Sequence, residues 1–105
     1  MTAAEIVNRA GRLLAEAVPS NSKVILFGSH GRGDAGADSD FDFLVVEPSV
    51  ASKAQEMVRL RAVLDPLGIA ADVMVVPHGY MEEWGDVAGT LLHEALTEGR
   101  VLAET

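Results

Sequence analysis

The sequence predicts an α/β (α+β) fold, a mixed β-sheet of at least three strands with helices packed on it. Three observations carry that reading. Lys23–Phe27 and Phe41–Val46 are short runs of β-branched, aliphatic and aromatic residues, which read as buried strands. Ile69–Val76 is a third such run, closed by Pro77. Between the second and third runs lies a helical pattern. Strand, helix and strand then form a right-handed crossover, which sets the second and third strands parallel.

The elements follow in order. Thr2–Val18 reads as a helix: Thr2 and Glu5 form a capping-box pattern, and Ile6, Ala10, Leu13, Leu14 and Ala17 share one face. Pro19–Ser22 ends it. Ser52 and Gln55 offer a second capping box, with Met57, Leu60, Leu64 and Leu67 following as core positions until Pro66 and Gly68 stop the helix. Met57 reads as core filler. His78–Trp84 predicts a helical turn and Val87–Glu98 a helix that ends at Gly99. Arg100–Ala103 predicts a short edge strand. Tyr80 and Trp84 read as ordinary packing residues, with a partner-facing role as the alternative.

At 105 residues the chain is expected to be one domain spanning 1–105, and its 49% hydrophobic content is that of a globular protein. It has no cysteine, which excludes disulfides and thiolate metal sites. Neither a membrane span nor a signal sequence is expected, so the expected compartment is the cytoplasm. The net charge of −8 argues against direct, sequence-independent binding to nucleic acid, which needs basic patches.

The chemistry is concentrated between the first two strands. This loop carries Gly28, Gly31, Gly33 and Gly36, with Ser29, Arg32 and the acids Asp38, Asp40 and Asp42. Residues two apart on a strand face the same side, so Asp40 and Asp42 point together and Phe41 and Phe43 point away. Two like charges about 4 Å apart repel by roughly 4 kcal/mol at an effective dielectric near 20. A hard divalent cation removes that penalty, and magnesium commonly combines one or two carboxylates with substrate phosphates. Glycines after a strand let backbone N–H groups approach an anion, while Ser29 adds a hydroxyl and Arg32 a guanidinium. If the first two strands are antiparallel, Gly28–Ser29 and Asp40 are neighbours. Asp72, at the start of the third strand, falls at that same end; it is either a third ligand or an exposed acid.

Gly28-Ser29, ten further residues and then Asp40-Phe41-Asp42 resemble the signature of the DNA polymerase beta-like nucleotidyltransferase superfamily. The fuller pattern, Gly28-Ser29-x-x-Arg32-Gly33 followed by Ser39-Asp40-x-Asp42, is similar to its small branch, the minimal nucleotidyltransferases (MNT). The resemblance implies the polymerase beta-like fold and transfer of AMP from ATP. It makes Asp72 the third catalytic acid beside Asp40 and Asp42, all three holding Mg²⁺ (two ions, with Mn²⁺ possible). It assigns Gly28, Ser29, Arg32 and Ser39 to the nucleotide, although Arg32 could instead pair with Asp34 or Asp38. It also implies a partner: such proteins are commonly paired with a HEPN-domain ribonuclease toxin and act as its antitoxin by adenylylating it. A homo- or hetero-oligomer would complete the acceptor side.

Two other functions fit the same residues. One is a catalytically silent antitoxin that only masks a toxin; the other is a nucleotidyltransferase acting on a small cationic molecule such as an aminoglycoside. Several further patterns lead nowhere. Gly31-Arg-Gly-Asp-Ala-Gly36 lacks the strand-to-helix turn of a dinucleotide site, and no Gly-Lys-Ser/Thr loop exists. His30, His78 and His93 are scattered, which argues against a histidine metal site; His30 reads as a solvent-facing loop residue, with a substrate contact as the alternative.

Overall fold

The computed structural model describes residues 1–33 and 40–105. Its elements are α1 (Ala3–Ala17), β1 (Lys23–Phe27), α2 (Gly28–Arg32), β2 (Phe41–Glu47), α3 (Lys53–Val63), a 3₁₀ turn (Asp65–Leu67), β3 (Ala71–Pro77), α4 (His78–Trp84), α5 (Leu91–Glu98) and β4 (Arg100–Glu104). Among the described residues the strands form one sheet in the order β3-β2-β1-β4. β1 is antiparallel to both β2 and β4, and β2 is parallel to β3. The crossover and the edge strand are therefore as expected.

Alternation along the strands divides the core in two. One face carries Val24, Leu26, Phe41, Phe43, Val45, Val73 and Val75, covered by Val7, Ala10 and Leu14 of α1 and by Leu60 and Leu64 near α3. The other carries Ile25, Phe27, Leu44, Val46 and Val76, covered by Leu92 and Ala95 of α5. Both middle strands are thus buried on two sides, which is why they read as continuous apolar runs.

The helix starts are capped as their sequences predict. The Thr2 hydroxyl accepts from the Glu5 N–H (3.2 Å) and Ser52 from Gln55 (3.3 Å). A fork from Arg59 of α3 reaches both oxygens of Glu56 and also donates to the Ala17 carbonyl at 2.9 Å, tying α3 to the end of α1.

Three expectations change. Met57 is not core filler: it is 38% exposed, because the inward stripe of α3 runs through Leu60 instead. The last helix starts at Leu91 rather than Val87. Gly89 has a left-handed backbone and the Thr90 hydroxyl accepts from the His93 N–H, so a turn precedes the cap. The residues after β1 do not all form a loop, since Gly28–Arg32 closes into the short helix α2 directly off the strand.

Candidate active site

β2 and β3 enter the core at the same end, where the Phe41 N–H donates to the Ala70 carbonyl at 3.0 Å. Asp42 and Asp72 are both second residues of their strands and are register partners. Across the other ladder, Asp42 is the register partner of Phe27, the last residue of β1. Asp42, Asp72 and Phe27 therefore share one face of the sheet, with Phe41 and Phe43 buried on the other. Adjacent strands lie about 4.8 Å apart, so the two carboxylates are close neighbours.

Gly28 presses on this pair from the β1 side. Its φ is +70°, and a Cβ placed there would collide with Asp42 Oδ2. Only glycine combines that backbone turn with so near an approach to a carboxylate. Ser29 follows, half-buried in the same cleft. Asp40 is exposed, immediately before β2. The backbone of Arg32 closes α2, but its side chain lies outside the described residues, as do Ser39, Asp34 and Asp38.

Asp42 holds its proton more tightly than an ordinary carboxylate. Burial is the largest cause, followed by the negative charges of Asp72 and Asp40; His30 opposes the shift and Glu94 adds to it. Among the described residues no three His, Asp or Glu side chains stand close enough, as placed, to enclose a metal ion. The pair at Asp42 and Asp72 nonetheless suits a hard cation. Its donors are all oxygen, two like charges stand side by side, and the absent Cβ at Gly28 leaves the carboxylate approachable from one side.

These residues open into a cleft of about 860 Å³ lined on one side by Phe27, Gly28, Ser29, Asp42 and Asp72. Its far wall is Ala54, Met57, Val58 and Arg61 of α3, with Val73 and Met74 of β3 and Glu94 of α5 completing it. The sequence gives no pointer to Glu94, which reaches the site only through the packing of α5 on the β1 side. The α3 wall was no more legible, because Met57 reads as core filler and Arg61 belongs to no motif. His30 is not a solvent-facing loop residue: it belongs to α2 and its ring stacks on Phe41, with centroids 3.9 Å apart.

Comparison with known proteins agrees with this architecture. Residues 8–95 match the family described as nucleotidyltransferase domain, and the chain belongs to that family. No curated protein matches it. Among solved structures, the fold is similar to a toxin–antitoxin complex with AMP-PNP, at TM-score 0.69 and 21% identity over 94% of this chain and 73% of that one. It is also similar to the tri-AMPylated Shewanella oneidensis HEPN toxin in complex with MNT antitoxin (0.64, 19%, 96% and 71%). A third similar structure is a mutant of the toxin–antitoxin MntA-HpeT (0.58, 22%, 94% and 73%). At these identities the likeness is one of fold. In the described residues no helix is long and apolar enough to cross a membrane.

Proposed function

We propose that the chain transfers AMP from ATP to a hydroxyl of a protein acceptor, and that this acceptor is a HEPN-type toxin which the chain restrains as antitoxin. The observation that carries the reading is the register pairing of Asp42 with Asp72 beside Gly28, at one end of the sheet. Membership of the nucleotidyltransferase family supports it, as does the fold likeness to a HEPN toxin–MNT antitoxin complex whose toxin carries AMP.

In this reading Asp40, Asp42 and Asp72 hold the divalent cation, Mg²⁺ or Mn²⁺. The bound cation supplies charge neutralisation at the phosphates and activation of the acceptor hydroxyl. Gly28 and Ser29 receive the outer phosphates, with Arg32 and Ser39 as further contacts. Asp72 stands on the acceptor side of Asp42 and orients the incoming hydroxyl. The acceptor oxygen forms a bond to the α-phosphorus, the bond to pyrophosphate breaks, and the hydroxyl proton leaves to solvent.

The test is transfer itself. With Mg²⁺, ATP and a HEPN-type toxin that it binds, the chain should add AMP to that protein and release pyrophosphate, read by mass spectrometry. Asp40→Ala with Asp42→Ala should abolish the addition while leaving the two proteins bound to each other. A double mutant that restrains the toxin as well as wild type, with no mass change in either sample, would establish the silent binding antitoxin instead.

A further inference from the structure

Sheet order places the two sides of the reaction. β2 lies between β1 and β3, so Gly28–Ser29, at the end of β1, and Asp72, on β3, flank Asp42 from opposite sides. Displacement at phosphorus runs in line, with attacking and leaving oxygens on opposite sides. If pyrophosphate leaves on the Gly28–Ser29 side, the acceptor must arrive over Asp72 and the outer strand β3. What it meets there is the α3 wall of the cleft.

Apart from Arg61 that wall is apolar, and it continues beyond the cleft. Ala54 and Val58 are one helical turn apart, as are Lys53 and Met57, so the four form one patch on α3. Val58 is 71% exposed and Met57 38%, although neither is needed by the core. At the top of the patch the Lys53 ammonium sits 4.2 Å over the ring of Tyr80 on α4. Tyr80 in turn stacks with Trp84, centroids 6.3 Å apart, and both residues are more than a third exposed. One surface therefore runs from the acid pair, along α3, to an aromatic pair. Exposed Glu82, Glu83 and Asp86 border its far end. Aromatic anchors with an apolar surround and a charged rim are the anatomy of a protein-binding patch.

We infer that this strip, from Val58 and Met57 through Lys53 to Tyr80 and Trp84, is the docking surface for the protein acceptor. It takes a segment with an apolar face and basic residues, the latter meeting Glu82, Glu83 and Asp86. The inference rests on the proposed AMP transfer and adds where the acceptor binds. It commits to the β3 side of the sheet, not to the β4 edge.

The test compares exposed substitutions at the two edges. Val58→Glu and Trp84→Glu should each lower kcat/KM for AMP transfer to the HEPN-type acceptor by at least tenfold. The rise in Tm on adding Mg²⁺ and ATP should stay at the wild-type value, since the phosphate side is untouched. Val101→Glu, on β4 at the opposite edge and 50% exposed, should leave kcat/KM unchanged. Val58→Ser, which adds no charge, should fall between Val58→Glu and wild type. Wild-type transfer by Val58→Glu and Trp84→Glu would overturn the docking assignment and leave the proposed reaction standing. An equal loss in Val101→Glu would also overturn it. No transfer by wild type itself would remove the reaction, and the docking role with it.

Discussion

Asp42 and Asp72 face each other across a parallel ladder as register partners, with Asp42 the half-buried member and Asp72 the exposed one. Burial first, and this pairing second, raise the proton affinity of Asp42. Burial withdraws its solvation and the neighbouring charges of Asp72 and Asp40 repel it. Two like charges at this spacing cost stability, so binding of the proposed cation would be readable as a gain in stability.

Asp42→Asn is the direct test of that relationship. The amide keeps the shape but removes one of the like charges. The metal-free variant should melt at or above the wild-type temperature. Wild type should gain Tm from Mg²⁺ with ATP, because a ligand that binds only the native state stabilises it. The variant should lose the metal-dependent part of that gain. A variant that keeps the full shift would remove Asp42 from the ligand set.

Much of this arrangement could be read from residue order, and the reason is physical. The acids stand on strands whose neighbours Phe41, Phe43 and Val73 are compulsory core, so the period of two fixed the face of Asp42 and Asp72. The crossover rule then fixed which ends meet. Exposure on α3 was harder to read. Met57 and Leu60 are both apolar, and their fates depend on how α3 is rotated over β3, which local spacing does not specify. Tyr80 and Trp84 failed for the same reason: an aromatic pair at i and i+4 reads as packing, yet here it stays exposed while Met81 between them turns inward to the core. The turn at Gly28 was legible as a close approach, but not its target, the Asp42 carboxylate.

Gly28→Ala should separate backbone strain from simple loss of space. A left-handed φ costs a non-glycine residue about 1 kcal/mol, and the added methyl group must also displace Asp42. We expect a loss on the order of 1–3 kcal/mol in chemical denaturation, together with loss of the Tm rise from Mg²⁺ and ATP. Gly33→Ala is the control: its φ is also positive, at +83°, but no described residue lies within 4 Å of its Cβ. It should show the strain cost alone and keep the ligand response. Equal ligand responses in the two variants would mean that the approach of Gly28 to Asp42 has no part in binding.

A second pair of carboxylates, Glu47 and Glu56 at the other end of β2, should contribute a pH dependence to the fold. Glu47 is only 3% exposed. Burial, then its hydrogen bond to Glu56 and the charge of Glu56, push its pKa up to about 7. The Arg59 fork, then the proton donated by Glu47, hold Glu56 down at about 2. Glu47 Oε2 finds no hydrogen-bond partner among the described residues, which further disfavours its charged form. The two shifts act in opposite directions. Between pH 4.5 and about 7 the folded chain keeps a proton on Glu47 that the unfolded chain has released, so stability falls as pH rises through that window. Between 4.5 and about 2 the unfolded chain protonates Glu56 first, so stability falls as pH drops. Glu47→Gln mimics the protonated acid and can still donate to Glu56. It should flatten the decline above pH 4.5, leaving the variant more stable than wild type at pH 8 by on the order of 1–3 kcal/mol. That corresponds to a Tm difference of several degrees, at about 4–8 °C per kcal/mol in a chain of this size. The difference should vanish near pH 4.5, and the acid limb, which belongs to Glu56, should be shared by both proteins. Parallel Tm curves from pH 4.5 to 8 would show that Glu47 titrates normally and that the buried proton is not there.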